Sequence, residues 1–175
     1  MQRIGIAPIL ENFQINPFWE AWYSDPAKYV FETEISFMLQ HYHQIKKDQT
    51  DRKIRICDYS FFIDIAYAEL GLKDSQLKAF YSVYEEIKKE LAFPALLVYL
   101  KCDPGVELER IRRRGRTVEK SINVEFLKNL NYSVDCQIEK AKQNIKVLTI
   151  DSAKKNFVDD ESVKKEVIAL ISGET

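Results

Sequence analysis

Glycine and proline are scarce in this chain, with five of each in 175 residues. Long flexible or polyproline linkers need more of both, which argues against a string of loosely tethered modules. Cysteine is scarce as well. Cys57, Cys102 and Cys136 are odd in number, lie far apart and form no C-x-x-C pair, so neither a disulfide framework nor a zinc site is supported. His41 and His43 stand two residues apart, on different faces of any helix, and make no metal pair. No apolar run reaches the ~20 residues of a membrane span, and the amino end lacks the basic-then-apolar pattern of a secretion signal. Net charge is almost absent too: 26 Lys and Arg against 27 Asp and Glu leave -1. A dedicated nucleic-acid binder is usually basic as a whole. These absences point to a cytoplasmic protein with reduced thiols and with neither a nucleic-acid nor a membrane partner. A last absence is the glycine-rich phosphate loop G-x-x-x-x-G-K-[ST], which occurs nowhere in the 175 residues.

What remains is an ordinary globular composition, 46% apolar and 30% charged. The length suits one domain, 1–175, with a real core, and no internal repeat or low-complexity segment appears. Apolar runs predict strands over 54–57, 95–100 and 147–150, with a weaker one over 7–10. The run Leu96-Leu97-Val98-Tyr99-Leu100 does not alternate, as expected of a parallel strand covered on both faces. Helical patterns fill 27–47, 61–70, 75–91, 105–114, 123–142 and 160–171. Asp74 or Ser75 is placed to cap one of these, Asp103-Pro104 to open another, and Asp159-Asp160-Glu161 to charge the start of the last. Strands alternating with helices predict an α/β fold with a parallel sheet.

Ligands of open parallel sheets bind at the carboxyl ends of the strands. That rule selects Glu11, Asp58, 101–103 and Asp151. Asp103 also reads as a helix cap, whereas Glu11 and Asp58 have no such role in the pattern. The second feature is a basic run, Arg110-Ile111-Arg112-Arg113-Arg114-Gly115-Arg116, with Glu119 three positions beyond it. A guanidinium is permanently charged and grips phosphate oxygens through paired hydrogen bonds. Arg110 and Arg114 share a helix face, and Gly115 lets the backbone turn so that Arg116 approaches the same anion from another side. A solvated basic face and a nucleic-acid backbone site are the competing readings of such a run.

Several segments together resemble the deoxynucleoside kinase family, most closely its bacterial deoxyadenosine/deoxyguanosine kinase branch. They are Asn16-Pro17-Phe18, Tyr23-Ser24-Asp25-Pro26, Phe31-Glu32-Thr33-Glu34, Asp58-Tyr59-Ser60, and Arg110 to Arg116 with Glu119. Phe126-Leu127-Lys128-Asn129-Leu130 and Asp151 with Asn156-Phe157-Val158 follow in the same order. The resemblance implies a P-loop kinase-like three-layer α/β fold, with a lid over about 110–121. It implies transfer of the ATP γ-phosphate to the 5'-hydroxyl of a purine deoxynucleoside. Glu11 would take the hydroxyl proton. Tyr23 and Glu119 would hold the sugar hydroxyls. Arg110, Arg114 and Arg116 would clamp the phosphates, with Asp151 and Phe157 against the adenine. Asp58 would organise Mg2+ through water rather than as a direct ligand, and helices 27–47 and 61–70 would pair two copies into a homodimer.

The chain also departs from the family. Glu34 stands where the family reads the base with glutamine, and an ionised carboxylate accepts hydrogen bonds without donating any. His41 stands where an arginine is expected, and Tyr59 replaces the arginine beside the catalytic acid. In the family's sheet order, 2-3-1-4-5, the first strand is central, and with its phosphate loop it would need about 20 residues ahead of the 7–10 strand. Without it, the strands ending at Cys57 and Leu100 would each present an unpaired inner edge. The expectation is therefore an N-terminally incomplete kinase. The alternatives are a non-catalytic scaffold or subunit on the same fold and, more remotely, a nucleoside monophosphate kinase. The last would need basic residues near the acceptor, and the 11–34 stretch offers only Lys28.

Overall fold

One stripe of residues sets the longest helix. In α2 (Pro26–Lys47), Val30, Glu34, Met38 and His41 recur every three or four positions and are all buried. Its start is written in the Tyr23-Ser24-Asp25-Pro26 segment. Asp25 Oδ1 accepts from the Lys28 N–H at 3.2 Å, and Pro26 takes a first-turn position that needs no N–H partner. Lys46 and Lys47 close the last turn, where the helix dipole favours cations.

The computed structural model describes residues 8–47 and 54–174, and the chain divides into two units, Met1–Ala92 and Phe93–Thr175. The first unit is helical. A short helix not anticipated from the sequence, α1 (Trp19–Ser24), precedes α2. α3 (Phe61–Gly71) and α4 (Asp74–Glu90) follow it. Val30, Met38, Ile65, Ala68, Leu72, Phe80 and Ile87 form one buried cluster. At Gly71 an added Cβ would lie 2.4 Å from Val30 Cγ2, so α2 and α3 approach closely there because the side chain is absent. Asn16 is buried and joins the preceding loop to α2: its Nδ2 donates to the Thr33 carbonyl at 3.0 Å, and its Oδ1 accepts from the Phe18 N–H at 3.0 Å.

The second unit is α/β. β1 (Leu96–Lys101) and β2 (Lys146–Asp151) pair in parallel, from Leu96 opposite Lys146 to Lys101 opposite Asp151. Parallel neighbours need a long crossover, and α5 (Pro104–Arg114) and α6 (Val124–Ala141) supply it. Leu127, Leu130, Val134 and Ile138 place the buried face of α6 at helical spacing. α7 (Glu161–Glu174) follows β2.

Two sequence readings need correction. The 7–10 and 54–57 stretches form no extended strands among the described residues, but a single parallel bridge between Ile9 and Cys57. A strand needs a ladder of successive backbone bonds, and here two bonds flank one residue pair. The residue that caps α4 is Lys73, with no side-chain bond, and Asp74 is already its first residue, at φ 48°. The other two caps stand as read: Asp103 opens α5, and Asp160 Oδ1 accepts from the Ser162 and Val163 N–H groups at 2.8 and 3.2 Å.

Candidate active site

The Ile9–Cys57 bridge decides the first cluster. Ile9 N–H donates to the Ile56 carbonyl at 2.8 Å, and Asp58 N–H donates to the Ile9 carbonyl at 3.3 Å. The residues that follow are thereby brought side by side, and the Glu11 N–H donates to Asp58 Oδ1 at 2.6 Å. The side chain of Glu11 then meets α2: its Oε1 lies 3.2 Å from His41 Nε2. The opposite ring nitrogen, Nδ1, lies 2.9 Å from Asp64 Oδ2 on α3. Tyr59 stacks on the imidazole at 4.0 Å between centroids, with planes 14° apart, and its hydroxyl donates to the His41 carbonyl at 3.3 Å.

Both imidazole nitrogens therefore face carboxylate oxygens. A neutral ring has one N–H to give, whereas a protonated ring has two. Burial disfavours the charged ring, but the hydrogen bonds to Asp64 and Glu11 outweigh it and raise the His41 pKa to about 9. Burial pushes the Asp64 carboxyl up, and its bond to His41 works against that shift. Glu34, buried about two turns earlier on the same face of α2, is pushed well above the usual carboxylate range, first by burial and then by the charge of Asp64. Acceptance alone describes the ionised form of Glu34, the form that burial disfavours. A neutral carboxylic acid has a hydroxyl donor and a carbonyl acceptor, the same pair that a glutamine amide offers. Tyr23 is half-buried in an aromatic cluster, 5.6 Å from Trp19 and 5.0 Å from Trp22, edge to face in both cases.

The second cluster lies on α5 and the turn beyond it. Asp103 Oδ1 caps the helix by accepting from Gly105 N–H at 2.8 Å and Val106 N–H at 3.3 Å, with Pro104 in the first turn. Gly115, at φ 75°, ends the helix in the left-handed region. A 3-10 turn, Thr117–Ser121, then carries Glu119 back to the arginines. Arg114 grips it with a fork, Nε to Oε2 at 3.2 Å and Nη2 to Oε1 at 2.7 Å, and Arg116 Nη1 reaches Oε1 at 3.2 Å. The Glu119 side chain is 2% exposed, while Arg114 and Arg116 are 47% and 35% exposed. The two guanidiniums thus cover a buried carboxylate while presenting charge to solvent.

Arg110 takes a different partner. Its Nη2 donates to the Ser152 carbonyl at 2.7 Å and its Nη1 lies 3.4 Å from Ser152 Oγ, which ties α5 to the loop after β2. Asp151, the last residue of β2, leads into that loop. Its Oδ1 accepts from the Ala153 and Lys154 N–H groups at 3.1 and 3.2 Å, and the hydrogen bond from the Lys154 side chain lowers its pKa. Phe157 is half-buried six residues further along.

Within the first unit, then, Glu11 and Asp58 stand together. Within the second, Arg114, Arg116 and Glu119 stand together, and Arg110 stands beside Asp151 through Ser152. Sequence reasoning missed Asp64 and Ser152. Asp64 had a signal: it is the one acid on the stripe Phe61, Asp64, Ile65, Ala68 of an apolar helix, where an unpaired charge would be costly. Ser152 had none, because its partner lies 42 residues away. Among the described residues no set of three or more His, Cys, Asp and Glu side chains is arranged to hold a metal. No helix among them is long and apolar enough to cross a membrane.

Comparison with known proteins bears on the family and the fold. A deoxyguanosine kinase of Bacillus subtilis (strain 168) is 29% identical over 176 residues, spanning 96% of this chain and 84% of the relative. A deoxyadenosine kinase of Dictyostelium discoideum is 24% identical over 171 residues, spanning 95% of this chain and 69% of the relative. A solved structure of deoxyadenosine kinase from M. mycoides with bound dCTP matches with a TM-score of 0.79 at 19% identity, covering 97% of this chain and 87% of that one. That likeness gives the fold, the P-loop kinase-like α/β fold. Residues 7–174 match the family described as deoxynucleoside kinase, and the chain belongs to the deoxynucleoside kinase family.

Proposed function

We propose that this chain transfers the γ-phosphate of ATP to the 5'-hydroxyl of a purine deoxynucleoside. The observation that carries the reading is the Ile9–Cys57 bridge, which brings the Glu11 backbone N–H to 2.6 Å from Asp58 Oδ1 where a parallel pairing ends. Glu11 takes the hydroxyl proton as the nucleoside oxygen bonds to the γ-phosphorus. The bond from phosphorus to the bridging oxygen breaks, and ADP leaves with that electron pair. In-line phosphoryl transfer needs an oriented hydroxyl more than a strong base, and a carboxylate suffices.

Arg110, Arg114 and Arg116 neutralise the charge on the transferred group, and 110–121 acts as a lid within one kinase domain, 1–175. Arg114 and Arg116 are preassembled on Glu119; Glu119, together with Tyr23, holds the sugar hydroxyls. Asp151 and Phe157 lie against the adenine of ATP. Mg2+ typically binds one or two carboxylates, with water and phosphate oxygens completing its shell. Asp58, exposed and with one oxygen engaged by the Glu11 N–H, fits such a water-mediated role. The preference for a purine is supported by relatives that are a deoxyguanosine kinase and a deoxyadenosine kinase, and Glu34, whose pKa burial raises, is assigned to the base.

Among these residues, phosphate binding is assigned to Arg110, Arg114 and Arg116. The active form is a homodimer joined through helices 27–47 and 61–70. The test is calorimetric titration of the chain with ATP, deoxyadenosine and deoxyguanosine, followed by detection of the 5'-monophosphate by chromatography. Binding of ATP and a purine deoxynucleoside with monophosphate formation supports the reading. Binding of neither overturns it and leaves the scaffold alternative.

A further inference from the structure

His41 is 1% exposed, yet both of its ring nitrogens face carboxylate oxygens. Its Nδ1 faces Asp64 Oδ2 at 2.9 Å and its Nε2 faces Glu11 Oε1 at 3.2 Å. Ionised carboxylates accept and never donate, so the Glu11–His41–Asp64 line is satisfied when the ring carries both protons. The ring is fixed from several directions: it stands on α2, Asp64 grips it from α3, and Tyr59 stacks on it at 4.0 Å. Glu11, by contrast, sits on a loop with its side chain 39% exposed, and a free carboxylate side chain samples many rotamers. A donor fixed by two helices selects one of them.

The geometry points to His41 as a positioning residue: a buried cation that pins one oxygen of Glu11 and leaves the other for the nucleoside hydroxyl, with Asp64 as its counter-charge. The inference rests on Glu11 being the base proposed above. It also gives the departure from arginine at this position a consequence. A guanidinium keeps its charge at any working pH, whereas an imidazolium loses it, here as pH rises through about 9. The groups that face the ring are Glu11 from the loop, Asp64 from α3, Tyr59 from the segment before α3, and Glu34 on α2 itself. Only the two bonded carboxylates raise its pKa, by direct hydrogen bonds and by their charge.

The chain has two histidines, so the ring can be followed by NMR in the intact protein, with His43→Gln used to assign the His41 signals. His41 is expected to stay imidazolium up to about pH 9, and Glu11→Gln is expected to lower its midpoint. In single-turnover assays, His41→Gln should slow phosphoryl transfer about tenfold or more, the effect of a misplaced reacting group, with nucleoside affinity unchanged. His41→Arg should recover the rate and abolish the alkaline fall. A ring that titrates near ~6.5, the ordinary value for histidine, overturns the inference. So does a midpoint that Glu11→Gln leaves unmoved, or a His41→Gln rate and pH profile equal to those of the unaltered chain. If the unaltered chain phosphorylates no deoxynucleoside, the kinase reading falls, and the NMR titration still decides whether His41 pins Glu11.

Discussion

Replacing Arg114 with methionine removes both hydrogen bonds of the fork on Glu119, at 3.2 and 2.7 Å, and leaves Arg116 at 3.2 Å. Two limits bracket the effect. Breaking a fully buried ion pair costs about 3–5 kcal/mol, and breaking an exposed one about 0–1 kcal/mol. Here the carboxylate is 2% exposed and the Arg114 side chain 47% exposed, so solvent screens one partner only, and Arg116 still covers part of the charge. The expected loss is about 2 kcal/mol, close to one charge-assisted hydrogen bond. Glu119→Gln keeps the shape but turns an amide donor toward guanidinium donors, so it should lose about 1–2 kcal/mol. In the double variant the losses should fall short of additivity by about 1–2 kcal/mol. Urea unfolding followed by far-UV circular dichroism reads all three. With a slope of about 2 kcal/mol per molar, the Arg114→Met midpoint should drop by about 1 M. A coupling below about 0.5 kcal/mol, the limit of ordinary additivity, would mean that Arg114 and Glu119 act independently, and the preassembled lid would be refuted.

The remaining predictions use the same unfolding measurement. Glu34 and His41 both hold a proton more tightly folded than unfolded, so the stability they contribute is present below their unfolded values and lost as pH rises. For His41 the window runs from 6.5 to about 9, and for Glu34 it opens at 4.5 and extends upward. The urea midpoint should therefore fall from neutral to alkaline pH, and Glu34→Gln, uncharged throughout, should flatten the slope; a midpoint that rises over the window contradicts both shifts. Asp103→Ala removes the cap at the start of α5 and should lower stability by about 1 kcal/mol, with Asp103→Ser restoring most of it; equal stability of all three would mean that Pro104 alone sets the helix start. Gly115→Ala forces a side chain onto φ 75° and should cost about 1 kcal/mol. It should also weaken ATP binding by moving Arg116, and unchanged affinity would separate Arg116 from the nucleotide.

Most helices and the β1–β2 pair were readable because their signals are local. The α2 stripe repeats at helical spacing, Pro26 and Asp103-Pro104 mark starts, and Leu96 to Leu100 is an unbroken apolar run. The stretches 7–10 and 54–57 carry similar apolar residues yet make only one bridge among the described residues, since a ladder depends on neighbours that composition does not reveal. The short helix α1 escaped notice because its stretch, Trp19 to Ser24, is too brief to show a period.

The sequence alone determined the class of the protein. An arginine run ending at a glycine, acids at predicted strand ends, and the ordered family segments are properties of the chain itself. Tertiary structure decided what each charge touches. Arg110 and Arg114 share a helix face, yet one goes to Ser152, 42 residues away, and the other to Glu119. Glu11 is separated by 30 residues from His41, and His41 by 23 from Asp64; folding brings the three together, buries the ring and raises its pKa. It also buries Glu34, which raises its pKa. The physical reason is the same in each case: a side chain's charge state and partner depend on the water it loses and the groups that replace that water, and in this chain most of those groups come from elsewhere along it.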